Sequence, residues 1–357
     1  MSVDGFDIYN ALDLNINSEG FFVDGLERTV LYERHGDLTV LARVERFVDR
    51  ISQSEGVGFE VKHNRQREAR LVRRDLARSY NSVKLAFQEY RDDITYSIRV
   101  SELFAAAKDL SLLSNPFEFG EPDERHSLLN RFNFELYNEL IENLRKRCRG
   151  SRYRRRLREA ERTAKRRVAK VLMWERAMFE WRSRNQFLVL CLGYRPEHRD
   201  TLTPKRLNDD IDRLLAARRY KRLMRSIGGY VAKLEEGDES GLHVHILIAY
   251  SPRIRSDIKL AKLIGEYWEN VVTGGEGKYW NSNAQKHMHR TRGHGIGTGM
   301  INRYDTDLRA ALRQNLIYLA KSDQNLKRKT SAKSRLIRMS EVPKKLVTGR
   351  PRTIRSN

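Results

Sequence analysis

A chain of 357 residues with 39% hydrophobic content is long enough to pack two domains. Its net charge of +22 and pI near 10.1 point to a polyanionic partner, nucleic acid ahead of an anionic membrane surface. Cys148 and Cys191 stand far apart without histidines at finger spacing, which argues against a disulfide framework or a structural zinc finger, and no apolar run approaches the roughly 20 residues needed to cross a bilayer.

In chain order, Asp4, Asp7, Asp13, Glu19, Asp24 and Glu27 precede the first basic residue, Arg28. No signal peptide begins this way, and residues 1–36 read as an acidic, poorly ordered arm. Residues 37–182 read as mostly helical. Leu128, Leu129, Phe132, Leu136, Leu140 and Leu144 recur at helical spacing behind Glu121-Pro122-Asp123, and Val83, Phe87, Tyr90 and Ile94 form a weaker stripe. Both stripes read as core.

From Arg145 to Lys170 the composition becomes one-signed, with only Glu159 and Glu161 opposing a run of arginines and lysines. Such a run repels itself unless phosphates neutralise it. It is therefore read as nucleic-acid contact, with Arg152, Arg154, Arg155, Arg156, Arg166 and Arg167 as the contact residues. Tyr153 is near enough to stack on bases, whereas Trp174 and Trp181, seven apart on one helical face, read as core.

The region 183–326 has a legible order of elements. Gln186 to Tyr194 is an apolar run suited to a buried strand, and Thr203-Pro204 opens a helix carrying Leu207, Ile211, Leu214 and Leu215. Tyr230 to Glu236, a turn, and Gly241 to Tyr250 read as a hairpin. A helix from Ser256-Asp257, a glycine-rich loop, a fourth strand around Ile296 to Tyr304 and a helix from about Asp305 to Gln324 follow. The order β-α-β-β-α-β plus a helix predicts an α+β fold, a split-βαβ antiparallel sheet with packed helices behind the helical N-terminal region.

Within the hairpin, His243 and His245 share one strand face because side chains alternate, and Glu235 or Glu236, but not both, can join them from the first strand. A pair of histidines that merely caps a strand is the other reading of this short pattern. Ile246-Leu247-Ile248 continues the strand without polar alternation, as expected of a central strand covered on both faces. On the last helix Leu308, Ala311, Leu312, Asn315 and Leu319 face inward, and Tyr318 projects off that stripe with Lys321 at i+3. A second pair, His287-Met288-His289, sits among polar neighbours with His294 beyond it, and reads as a DNA-facing loop with Lys286, Arg290 and Arg292. Residues 327–357, from Lys327, Arg328 and Lys329 onward, read as a flexible basic tail that binds phosphate without reading sequence.

Leu234-Glu235-Glu236-Gly237, then His243-Val244-His245, then Tyr318-Leu319-Ala320-Lys321-Ser322-Asp323-Gln324 resemble, in that order over roughly residues 180–326, the HUH endonucleases. The wording is most similar to the inovirus gene-two-type replication proteins and their prophage relatives. The resemblance implies an HUH-type sheet and a rolling-circle replication initiator, cytoplasmic and encoded by a phage or prophage. It would act on single-stranded or supercoiled DNA at a replication origin, with host replication proteins as further partners. It implies that Tyr318, assisted by Lys321, attacks DNA to give a 5′-phosphotyrosine and a free 3′-hydroxyl, and that His243, His245 and Glu235 hold a divalent metal, Mg²⁺ or Mn²⁺. Imidazole with carboxylate also accepts Zn²⁺, so the metal follows from the resemblance alone. Rival readings are a non-cleaving DNA-binding protein of a phage or mobile element, an HUH transposase or relaxase, and a two-histidine, one-carboxylate iron oxygenase.

Deleting residues 327–357 is expected to weaken binding to DNA of any sequence and to make log affinity fall less steeply with log salt, because each lost phosphate contact removes a released counterion. An unchanged salt slope would place the tail away from DNA.

Overall fold

The computed structural model describes residues 18–23, 26–31, 37–92, 94–199, 201–237, 241–286, 297–321, 326–328 and 337–343. They fall into two units, Met1–Thr163 with Asp323–Ala332 and Ala164–Ser322 with Lys333–Asn357.

In the first unit β1 (Ser18–Val23) and β2 (Leu26–Leu31) pair antiparallel, so a hairpin occupies part of the expected arm. Then come α1 (Asp37–Gln53), the hairpin of β3 (Phe59–His63) and β4 (Ala69–Arg73), α2 (Tyr80–Gln88), β5 (Ile94–Tyr96) and α3 (Ile98–Asp109). A short hairpin of β6 (Arg125–His126) and β7 (Arg131–Phe132), α4 (Asn133–Arg149) and the start of α5 (Ser151–Trp181) complete it. Phe47, Phe59, Tyr80, Phe87, Tyr137 and Leu140 are among its buried core. Tyr137 stacks on Phe47 and donates its hydroxyl to the Leu76 carbonyl at 2.8 Å, so the ring is buried without an orphaned donor.

The leucine stripe begins later than its spacing predicts. Leu128 is exposed and Asn130 adopts a φ of 51°, a left-handed turn that no helix admits, so α4 starts at Asn133. There the Glu135 carboxylate accepts from the Phe132 N–H and satisfies one free donor of the first turn.

The second unit holds the mixed α+β region. β8 (Arg184–Tyr194), α6 (Pro204–Ala216), β9 (Ile227–Gly237), β10 (Gly241–Tyr250), α7 (Asp257–Tyr267) and β11 (Gly277–Asn281) follow in the order β-α-β-β-α-β. β12 (Gly299–Asn302) and α8 (Thr306–Lys321) come next. The α6 start is as read, with Pro204 at the first turn and the Thr203 hydroxyl accepting from the Arg206 N–H. β13 (Leu326–Arg328), which belongs to the first unit, pairs there with β5, and β14 (Ile337–Met339) pairs with β9 in the second. The expected flexible tail thus contributes two strands.

All pairings in the six-stranded sheet are antiparallel, in the order β11-β8-β10-β9-β14, with β12 alongside the other end of β8. The fourth strand was expected near 296–304. A strand forms there at Gly299–Asn302, but Gly277–Asn281, read as loop, also pairs with β8. Five residues bounded by glycine are too short to show a period, and their place depends on packing: an added Cβ at Gly265 of α7 would meet the Tyr279 ring of β11 at 2.1 Å. Gly297 has a comparable reason. Its missing side chain lets the chain approach the backbone of α8, 2.6 Å from Leu312 N to an added Cβ.

β10 lies between β8 and β9 and is covered on both faces. Leu190, Leu192, Leu234, Val244, Ile246 and Ile248 pack with Leu207, Ile211 and Leu214 of α6 and Leu260 and Ile264 of α7. Phe187, Val231, Leu247 and Ala249 pack on the opposite face with Trp174, Met178 and Phe179 of α5 and Leu312, Leu316 and Leu319 of α8. Each fully buried side chain of this kind contributes about 1.5–3 kcal/mol. Among the described residues, no helix is long and apolar enough to cross a membrane.

An ion network fixes α8 against α5. The fully buried Glu175 accepts from Arg309 Nε at 2.7 Å and Arg313 Nε at 3.2 Å, and the Arg309 guanidinium lies over the Phe179 ring. Glu175→Ala leaves Arg309 half-enclosed without its anion, so it is expected to lower unfolding free energy by about 3 kcal/mol in urea titrations; a loss under about 0.5 kcal/mol would remove this pair as the α8 anchor. Because β14 pairs with β9, truncation after Pro343 isolates the charge effect of the tail better than deletion from 327.

Candidate metal centre

Alternation along β10 puts the His243 and His245 side chains on the sheet face that α5 and α8 cover. Register supplies the rest: Glu235 lies opposite His243, Lys233 opposite His245 on one side, and Cys191 opposite His245 on the other. At Gly193 an added Cβ would stand 3.3 Å from the Cβ of His243, so the absent side chain leaves this ring its space.

The geometry is close. The two Nε2 atoms are 3.2 Å apart, and Glu235 Oε2 is 3.1 Å from His245 Nε2 and 3.7 Å from His243 Nε2. His243 Nδ1 lies 2.9 Å from the Gly241 carbonyl, which can only accept, so Nδ1 carries a proton and, in the neutral ring, Nε2 keeps a lone pair for the site. Lys233, only 2% exposed, holds Glu235 Oε1 at 2.6 Å and leaves Oε2 for the imidazoles. Burial works to raise Glu235, but the neighbouring His245, the Lys233 ammonium and His243 hold it well below the usual carboxylate range.

Tyr318 of α8 closes the cluster. Its ring meets His245 edge-on with centroids 6.4 Å apart, and Lys233 Nζ stands 5.8 Å from its centroid. Among the described residues the buried Tyr318 hydroxyl has no hydrogen-bond partner, an arrangement that costs stability and is uncommon in folded chains. Burial first, then Glu235 and Cys191, push this phenol well above the usual tyrosine range.

Two donors, each roughly 2.1 Å from one ion, stand about 3.0 Å apart at a right angle and about 3.4 Å apart at a tetrahedral one. The Nε2–Nε2 and Nε2–Oε2 separations fall in or near that span, so His243, His245 and Glu235 fit a shared divalent cation. Cys191, His243 and His245 likewise place their ligand atoms within 4.8 Å of one another.

Other expected residues divide. The Lys321 side chain, His287, Met288, His289, Arg290, Arg292, His294 and Lys329 lie outside the described residues, and Lys327 and Arg328 lie on β13. Arg152 and Arg154 are exposed, while Arg155 reaches Glu159 and Arg156 reaches Glu102. Arg166 is exposed and Arg167 half-buried. Three basic residues serve the fold. Lys286 pairs with Asp257 at 2.5 Å, Arg145 is buried on the Ser54 and Gly56 carbonyls, and Arg147 binds Glu102 and Asp109. Tyr153 is a core residue rather than a stacking platform.

Lys233 and Cys191 were missed by the sequence reading. Lys233-x-Glu235 carries a legible signal, since period two puts both on one face. Cys191 carries none, because only the pairing of β8 with β10 brings it to His245. Compared with protein-family models, curated proteins and solved structures, the chain gives no match.

A carboxylate held low in the fold and returning to an ordinary value near 4.5 on unfolding adds stability above that pH and loses it as pH falls through the folded value. In chelator, the gap in unfolding free energy between wild type and Glu235→Gln is therefore expected to be full near neutral pH and to shrink below about pH 4.5. A gap constant over that range would show that the ionised carboxylate is not what the fold stabilises.

Proposed function

We propose that this chain nicks and rejoins single-stranded DNA by tyrosine attack, as an HUH-type replication initiator. One observation carries the reading: Tyr318, whose buried hydroxyl has no partner among the described residues, sets its ring edge-on to His245, beside two imidazoles and a carboxylate spaced for one cation. An orphaned hydroxyl at such a place is accounted for if a phosphate is its partner in the working complex. The net charge of +22 and the exposed Arg152 and Arg154 supply affinity for the polyanion.

His243 and His245 through Nε2, and Glu235 through Oε2, would hold the divalent ion, Mg²⁺ or Mn²⁺ by resemblance. Bound there, the ion supplies positive charge to a non-bridging phosphate oxygen. Lys233 fixes the rotation of the Glu235 carboxylate through Oε1, and its ammonium favours negative charge on the Tyr318 ring as the phenol ionises. In the step itself the Tyr318 Oη–phosphorus bond forms and the phosphorus–O3′ bond breaks. The phenol loses a proton, and the departing 3′-oxygen takes one up. Burial keeps Tyr318 protonated beforehand, so the nucleophile is inactive until positive charge and phosphate arrive together. The phosphotyrosine ester conserves the bond energy needed for rejoining.

The test uses labelled single-stranded DNA from the element that carries the gene, followed on denaturing gels. Wild type is expected to give a cut strand and a protein-linked fragment. Tyr318→Phe is expected to lose both while binding DNA normally, and to unfold about 1 kcal/mol less easily because the orphaned hydroxyl is gone. His243→Ala and His245→Ala are expected to lose cleavage with most DNA affinity kept. A covalent adduct formed by Tyr318→Phe, or cutting by wild type without an adduct, would overturn the assignment; the second outcome describes a hydrolytic nuclease.

A further inference from the structure

We infer that Cys191 is a ligand of the same ion, so that the site is a sulfur-containing centre for a zinc-class metal rather than for Mg²⁺. The inference builds on the metal reading of the site but not on the DNA reaction. Cys191 faces His245 across the β8–β10 pair, and its sulfur belongs with the two imidazoles to one group of ligand atoms within 4.8 Å of one another. With Glu235 Oε2 at 3.1 Å from His245 Nε2, the available donors are two nitrogens, one sulfur and one oxygen.

That set has a chemical preference. Mg²⁺ takes oxygen donors in octahedral geometry and keeps several of its waters. Here two of the donors are imidazole nitrogens and one is sulfur, with a single carboxylate oxygen beside them, a set that does not match the oxygen preference of Mg²⁺. Thiolate with imidazole suits Zn²⁺, and Co²⁺ as its spectroscopic substitute, in four-coordinate geometry. On binding, the S–H bond of Cys191 breaks, a metal–sulfur bond forms and one proton is released to solvent; an ion of this class deprotonates a thiol outright. Four-coordinate zinc can expand to a fifth ligand, so the sulfur leaves a phosphate oxygen a place.

The experiment is titration of the full chain, purified without metal, with Co²⁺ and then Zn²⁺ or Mg²⁺, read by absorption. The expected result is a sulfur-to-cobalt charge-transfer band that saturates at one ion per chain, is bleached by Zn²⁺ and is untouched by a large excess of Mg²⁺. Cys191→Ser, checked for folding by circular dichroism, is expected to lose that band and to bind Zn²⁺ at least about tenfold more weakly. Should Cys191→Ser fail to fold, wild-type alkylation serves instead: Zn²⁺ is expected to protect Cys191 and leave Cys148 labelling unchanged. A bound Co²⁺ without the charge-transfer band, a band retained in Cys191→Ser, displacement of Co²⁺ by equal Mg²⁺, or unprotected Cys191 would each overturn the inference. None of these readouts uses DNA, so a protein that fails to cleave yet shows the band refutes the nuclease reading and leaves the sulfur ligand standing.

Discussion

The antiparallel register of β10 with its two neighbours is the constraint from which the rest follows. His243 is set against Glu235, and His245 against Lys233 and Cys191, by main-chain hydrogen bonding alone. A slip of one residue would turn both imidazoles into the layer held by Leu207, Ile211 and Ile264 and would bring Val244 to the polar cluster. Burial on both faces prevents that slip, because Ile246 and Ile248 fill one side while Leu247 and Ala249 fill the other. The apolar half of the strand therefore keeps the polar half in position.

Holding five polar side chains on a buried face is costly, and the cluster reduces that cost by internal pairing. Lys233 and Glu235 neutralise each other, and the Gly241 carbonyl engages one ring nitrogen of His243. The Tyr318 hydroxyl is left over. Its position depends on α8, which hydrophobic contacts and the Glu175–Arg309 pair press onto the sheet. An anchor far along the helix from the phenol thus governs the site's geometry, and unsatisfied polar burial at the site is carried by packing elsewhere.

Part of the positive charge in this chain serves the fold, which composition does not reveal. Arg145 and Arg147 look like members of a phosphate-binding run, yet they satisfy carbonyls and carboxylates of the first unit. Lys286 similarly belongs to the Asp257 carboxylate at the start of α7. Arg152 and Arg154 on the same run are exposed, and electrostatic attraction to a polyanion rests on residues of that kind.

By itself the sequence determined what local periodicity can encode: the mixed helix and sheet, the β-α-β-β-α run from β8 to α7, the central apolar strand, and the shared face of His243 and His245. Alternation also showed that only one of Glu235 and Glu236 could face the histidines, and the register of β9 with β10 decided for Glu235. Tertiary structure decided what depends on contacts between distant segments. The pairing of β8 with β10 brought Cys191 to His245, the close contact at Gly265 admitted β11, and β14 joined β9 from a stretch that composition marks only as basic. It also turned the Tyr318 phenol inward to an unpartnered burial that its place off the apolar stripe does not suggest. Alternation and spacing act between neighbours in the chain, whereas register, close approach and burial arise only when segments far apart in sequence pack together.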